Sequence, residues 1–253
     1  MIEGFARAAL WLALIAVFLA ASPGPGYKFG GFPLALMVPF LLGGLLFAVI
    51  AVLASLSGFG LRVFAASGSM MTSTVALVLA GAVIFYVGSF VAGARAVPAI
   101  HDITTDTDNP PEFVAVLPLR GEGVSPASYD GNDPVPGNPE QTVREAQLAH
   151  YTDLGPLFLD TDFNFAFTAV IATVEELGWE LVEASSEDGR IEAIVSTWWY
   201  GFKDDVVIRV AAQSDGTTRV DVRSKSRVGI SDIGANAARI QTFLDALSAK
   251  TGG

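Results

Sequence analysis

The residues best suited to chemistry cluster near the carboxyl end, where Arg219, Arg223, Lys225 and Arg227 recur along one short segment and Arg239 follows a little later. Odd-numbered positions of a β-strand share a face. The four strand cations therefore form one basic strip, and with Arg239 they could hold an anionic group bidentately or as point charges. Carboxylates also stand close by, at Asp205 and Asp221 on the neighbouring pattern and at Asp102, Asp106 and Asp108 further back. The strip thus has two readings: a site for an anionic ligand or partner, or internal pairing with the chain's own acids. Internal pairing is favoured, because an acidic segment must be placed somewhere and a basic strand is its electrostatic complement.

Other candidate chemistry is thinner. Asp102, Asp106 and Asp108 form an oxygen-rich segment of the kind calcium prefers, but their spacing fits no established loop and no bidentate Glu follows. His101 and His150 are the only histidines, there is no cysteine, and Ser224 and Ser226 lie on a strand pattern rather than in a nucleophile elbow. No catalytic residue, metal or cofactor is expected. The acids left for an enzymatic reading are Asp204, Asp205 and Asp232. The run Trp198-Trp199-Tyr200, with Phe202, puts successive rings on opposite strand faces. One tryptophan is expected under a helix, and the other outside as a ligand wall beside the basic strip.

Four strands and two helices position these residues. A helix capped at Asp160, Thr161 or Asp162 runs to Leu177, with Phe163, Phe167, Val170, Ile171 and Val174 on one face and Gly178 at its end. Strands follow over residues 179–184, 190–200, 205–212 and 218–227, then a helix over about 233–249. A three-residue loop Ser214-Asp215-Gly216, with Gly216 left-handed, places Val206, Ile208 and Val210 opposite Ser224, Val222 and Val220 on a core face. On the other face it sets Asp205 opposite Lys225 and Arg209 opposite Asp221, as structural charge pairs. A two-residue loop would turn Arg223 and Lys225 into the core, where an unpaired charge is costly. The fold class is an α+β domain, a four-stranded antiparallel meander flanked by two helices, over residues 161–253.

Upstream, the composition changes character. The 253-residue chain is 51% hydrophobic and 16% charged, yet before Arg95 the only charges are Glu3, Arg7, Lys28 and Arg62. Apolar stretches at about 5–21, 32–56 and 72–94 are long enough to cross a bilayer. Residues 1–94 therefore read as a three-helix transmembrane anchor, with clusters such as Ser22-Pro23-Gly24-Pro25-Gly26 supplying turns. The first stretch also has a cleavable signal peptide as its competitor. Small residues at helical spacing (Gly44 with Ala48, Ala76 with Ala80, Gly81 with Gly88) permit close helix approach. Residues 95–160 are rich in Pro, Asp, Gly and Asn and read as a linker that packs on the domain or tethers it; residues 113–119 add at most an edge strand. Lys and Arg counts leave orientation tied; the lack of any cytosolic cofactor signature favours the soluble domain on the periplasmic side of a bacterial inner membrane. From Arg95 onward 12 Lys and Arg face 25 Asp and Glu, which argues against nucleic-acid binding.

The strings Trp198-Trp199-Tyr200-Gly201-Phe202-Lys203-Asp204-Asp205, Asp221-Val222-Arg223-Ser224-Lys225-Ser226-Arg227 and Asp232-Ile233-Gly234-Ala235-Asn236, preceded by Ile100-His101-Asp102-Ile103 and Pro110-Pro111-Glu112-Phe113, resemble the domain-of-unknown-function 1499 (DUF1499) family. The resemblance spans about 98–250 and implies no activity. The expected function is a membrane-anchored envelope protein that binds a partner or an anionic ligand through the basic strand. The alternative is an enzyme or transport accessory acting on a small envelope substrate. A purely structural membrane-complex subunit is the third reading.

Overall fold

A computed structural model describes residues 2–65 and 70–252. The chain divides into two units, one of Met1–Gly93 with Trp198–Gly201 and one of Ala94–Thr197 with Phe202–Gly253.

The first unit contains α1 (Ile2–Ala21), the short α2 (Pro23–Lys28), α3 (Met37–Ala65) and most of α4 (Met71–Ala96). Three helical segments, Glu3–Lys28, Leu34–Phe59 and Met71–Ala96, are long and apolar enough to cross a membrane. They meet along small residues. Ala6, Ala9, Ala13, Ala16 and Ala20 of α1 are all buried, in steps of three and four. They face an equivalent series on α3: Gly44, Ala48, Ala51, Ser55 and Gly58. Such spacing keeps one narrow stripe of each helix on its neighbour. A Cβ on Gly44 would lie 3.1 Å from both the Ala16 carbonyl oxygen and the Ala20 amide nitrogen; glycine is what lets the two backbones approach. Ser73, Ala76, Ala80, Val83 and Val87 form the buried stripe of α4.

Two expectations change here. The Ser22-to-Gly26 cluster is helical rather than a turn: the Ser22 and Gly26 amides bond the Phe18 and Ser22 carbonyls at 2.9 Å, and Pro23 and Pro25 fall in the first helical turn, where no amide donor is required. Gly81 and Gly88 lie on the open side of α4, where an added Cβ would touch nothing among the described residues. The side chain of Arg62, used in the orientation count, lies outside the described residues.

The second unit is an antiparallel sheet of six strands: β1 (Asp102–Thr104), β4 (Leu157–Leu159), β5 (Glu180–Ser185), β6 (Arg190–Ser196), β7 (Lys203–Ala212) and β8 (Thr218–Ser226), with β2 (Pro134–Val135) and β3 (Asn138–Thr142) forming a separate pair. Strands β5 to β8 make the meander. Strands β1 and β4 lie end to end along the outer side of β8, Asp102 to Thr104 on Lys225 to Arg223 and Leu157 to Leu159 on Val220 to Thr218. The β7–β8 register is Asp205 with Lys225 and Arg209 with Asp221, as the three-residue loop predicts, and Gly216 has φ +90°. Helices α6 (Phe163–Glu176), capped by Asp162, and α7 (Ala235–Thr251) cover one sheet face, burying Val170, Val174, Ile240, Phe243 and Leu247 against Ile191, Val206, Ile208 and Val222. Helix α5 (Val143–His150) begins with a Thr142–Glu145 capping box and sends Gln147 to bond both backbone groups of Thr104, at 2.7 and 3.2 Å.

The remaining differences concern segments without a clear period. Residues 105–130 form no long element; they fold across the sheet's other face, where Phe113 and Val116 pack on Ile194 and Val207. Residues 113–119 are thus an apolar plug ending in a 3-10 turn at Leu117–Leu119, not an edge strand. The linker reading of 95–160 misses β1, β4 and α5, which are too short for their period to register. Strand β6 ends at Ser196, four residues before the expected Tyr200, because the Thr197 amide bonds the Phe202 carbonyl at 2.8 Å and closes a loop.

Candidate functional site

The basic strip of β8 faces the segment that covers the sheet, and its charges are matched there one by one. Asp102 projects from β1 between two cations. Its carboxylate accepts Arg223 Nε and Nη2 at 2.8 and 2.9 Å and lies 3.2 Å from Lys225 Nζ. Lys225 Nζ also donates to Asp130 Oδ1 at 2.6 Å and to the Ser128 carbonyl at 2.7 Å, so all three of its donors have acceptors. Arg223 further donates to the Pro111 and Ala127 carbonyls and lies over the rings of Phe113 and Tyr129, at 4.7 and 5.3 Å. Burial, and then the Asp102 charge, push the Tyr129 phenol up to about 12.

One strand along, Asp205 accepts Arg227 Nη2 at 2.6 Å and is paired with Arg120 from the cover. It thus sits opposite Lys225 in register but bonds Arg227. Glu192 of β6 performs the equivalent task for the plug: its carboxylate accepts the amides of Val114, Ala115 and Val116 at 2.9, 2.9 and 3.0 Å. Asp102, Asp205, Glu192 and Lys225 are fully buried, and Arg223 nearly so. Charges so placed are tolerable only when paired and hydrogen-bonded. The structure therefore places Arg223, Lys225 and Arg227 in an internal ionic layer rather than on an open anion-binding face.

The layer opens at one end. Arg209 and Arg219 both hold Asp221, at 2.8 and 2.9 Å, and both hold Asp106 of the cover, at 3.1 and 2.7 Å. Their side chains keep 27% and 30% exposure. Asp106 in turn accepts the Asp108 and Asn109 amides. Burial works against its ionisation, but the Asn109 amide, Arg219, the Asp108 amide and Arg209 outweigh it and hold the carboxyl below its ordinary value. Arg144 pairs with the exposed Asp108 at 2.7 Å, and the exposed Phe158 ring lies under Arg219. The three aspartates of the opening segment are thus divided: Asp102 serves Arg223 and Lys225, Asp106 the two rim arginines, and Asp108 Arg144.

Arg239 belongs elsewhere. It rises from α7 on the opposite sheet face, bonding Asp204 at 2.5 Å and Ser224 Oγ at 2.9 Å. Asn236 ties Ser224, Ser226 and the His101 carbonyl together. Asp232 accepts the Gly234 and Asn236 amides, each at 2.8 Å. Burial raises its pKa against those bonds, with Asp204 adding to the rise. Ile233, between them, has φ +54°, an unusual conformation for a β-branched residue. Tyr151 is pushed up to about 12 by burial and then by Asp232.

Neither Trp198 nor Trp199 lies on a strand. Both belong to the first unit, with Trp198 79% exposed and Trp199 against Gly24. The tryptophan under a helix is Trp179, stacked on Phe243 at 5.5 Å. Asp130, Arg120 and Glu192 are members of the ionic layer that the sequence does not single out; the first two sit in Pro- and Gly-rich chain with no periodic signal.

Three membrane-length helices joined to an α+β domain, with one sheet face closed over buried ion pairs by the domain's own amino-terminal segment, define the class of protein. Residues 102–247, from β1 into α7, match the family described as a protein of unknown function, DUF1499, and the chain belongs to that family. No curated protein matches the chain.

Proposed function

We propose that this protein is a non-enzymatic, membrane-anchored module that binds an anionic ligand, or an acidic segment of a partner, at the exposed end of its basic strand. The supporting observation is the double grip of Arg209 and Arg219 on Asp106. This surface already recognises an acidic segment, its own, and both arginine side chains remain partly exposed, at 27% and 30%. An incoming carboxylate or phosphate would take the place of Asp106, with Arg144 and the Phe158 ring alongside. The buried cations Arg223, Lys225 and Arg227 are the scaffold of that rim.

We assign the chain to a bacterial inner membrane with the domain on the periplasmic side, a reading supported by its acidic domain and by the lack of a cytosolic cofactor signature. Cleavage of a carboxy-terminal tag by protease added to intact spheroplasts tests the orientation; full protection would reverse it. For the binding role, the full chain and its Arg209→Glu/Arg219→Glu variant are affinity-purified from solubilised membranes. Wild type should retain an associated protein or anionic small molecule that the folded variant loses. Identical associated material from both would sink the rim assignment.

A second reading, an enzyme or transport accessory, is favoured by one observation: Asp204, Asp232, Arg239 and Tyr151 gather around the start of α7 next to the left-handed Ile233. Mass spectrometry of the purified full chain, before and after Asp204→Asn, distinguishes the two. A small molecule lost on that change alone supports the second reading.

A further inference from the structure

The first unit holds an apolar cavity of about 660 Å³ between the carboxy-terminal end of α1 and the middle of α4. Its wall includes Val17 and Ala20 of α1 and Leu79, Ala82 and Val83 of α4, with Trp199 and Tyr200 completing it. The volume is in the range of roughly 300–1,000 Å³ typical of small-molecule sites, but its lining offers hardly any polar group to recognise a water-soluble ligand. The polar groups stand at one end. Tyr86 and Tyr200 join hydroxyls at 2.7 Å. Beyond α1, exposed Lys28 donates to the Trp198 carbonyl at 2.8 Å, which leaves two of its three donors for other acceptors. Gly201, at φ +70°, is packed so closely on the Lys28 stem that a Cβ would lie 2.8 Å from Cγ, which keeps the start of the side chain against this loop.

A hydrocarbon slot walled by membrane-spanning helices, with tyrosine and tryptophan at its mouth and a cation next to it, is complementary to an amphiphile. We propose that this cavity takes one acyl chain of a bilayer phospholipid whose anionic headgroup meets Lys28. Lys28 and, in the last turn of α4 beyond Phe90, Arg95 are the cations near this end among the described residues, so charge favours an anionic headgroup. The site is independent of the arginine rim and of any ligand there.

Native mass spectrometry of the full chain, delipidated and titrated with phosphatidylglycerol or phosphatidylcholine, tests the proposal. Wild type should bind one phosphatidylglycerol at least tenfold more tightly than phosphatidylcholine. Ala82→Trp, which fills the slot, should weaken both at least tenfold. Lys28→Ala should reduce the headgroup preference, and Lys28→Ala with Arg95→Ala should abolish it, while chain binding persists. Phosphatidylglycerol brominated along its acyl chain should quench fluorescence in wild type and much less in Trp199→Phe, a comparison that holds even where Ala82→Trp fails to fold. Equal affinity for the two lipids, unchanged binding by a folded Ala82→Trp protein, quenching indifferent to Trp199, or a second copy of the chain filling the slot would each overturn it.

Discussion

The membrane helices and the covered sheet face solve the same problem, close approach of two backbone surfaces, by opposite chemistry. Along the α1–α3 seam the contact is alanine and glycine, and its energy is dispersion between surfaces that hydrocarbon would otherwise solvate. Across the outer sheet face the contact is Asp102 between Arg223 and Lys225, and Asp205 between Arg227 and Arg120. There the energy resides in charge-assisted bonds that offset large desolvation costs. In lipid, association of apolar surface gains nothing from water, so shape must serve. In water, a segment as poor in apolar residues as 105–130 buries Phe113 and Val116, with Ala127 partly buried beside them, and the ionic layer supplies the rest. Asp102, Arg223, Lys225 and Arg227 thereby hold the cover on the sheet.

The ionic half of the comparison breaks at Asp102. Asp102→Ala would leave buried Arg223 without its carboxylate and Lys225 with Asp130 alone, and losing one partner of a buried pair costs about 3–5 kcal/mol. The domain should unfold at clearly lower denaturant than wild type, with residues 105–130 the first to become protease-sensitive. Near-wild-type stability would mean that the layer is not what holds the cover. The apolar half breaks at Gly44. Gly44→Leu forces its side chain against the Ala16 carbonyl and Ala20 amide, and overpacking of this kind costs about 1–3 kcal/mol. Cysteine pairs placed across α1 and α3 should crosslink more slowly in this variant, while the melting transition of the soluble domain stays unchanged.

How much of this was legible beforehand follows the same division. The meander, its three-residue loop and the Asp205–Lys225 register were readable because period-two patterns and a Ser-Asp-Gly loop fix them locally. The three spans were readable from length and apolarity. The alternation of Arg219, Arg223, Lys225 and Arg227 pointed to one charged face, and the acidic opening segment was the right complement. What local pattern could not supply was which carboxylate meets which cation. Asp102 reaches Arg223 across 121 positions of sequence, and Arg120 and Asp130 sit in chain without a period. The strand expected to run through Trp198 and Trp199 stops at Ser196, because the aromatic run only continues the strand's composition while Gly201 marks a turn.

The rim gives a gentler test. The Asp106 carboxyl is held below its ordinary value, so the folded state favours its ionised form. That stabilisation is complete above the unfolded carboxylate range, near 3.9, and is lost as the pH falls through the lower folded value. Asp106→Asn should therefore be destabilised by about 1 kcal/mol at neutral pH, as expected for a partly exposed pair network. The gap to wild type should close below about pH 4. Thermal melts of both proteins across that range check the sign; a gap that widens on acidification would remove Asp106 from the rim.

Asp232 should respond in the opposite sense and by the smallest amount. Its folded pKa is raised, chiefly by burial, so the native state holds this proton more tightly than the unfolded chain does. Stability from this group is present at low pH and falls as the pH rises through the folded value. Asparagine keeps an oxygen for the Gly234 and Asn236 amides while removing the charge that burial and Asp204 oppose. Asp232→Asn should match wild type in acid and equal or slightly exceed it at neutral pH, measured by the same melts. A variant less stable than wild type at neutral pH would show that the ionised carboxylate is needed at the start of α7. The cluster with Asp204 and Arg239 would then have to be read as a site that keeps its charge for chemistry, against the non-enzymatic assignment.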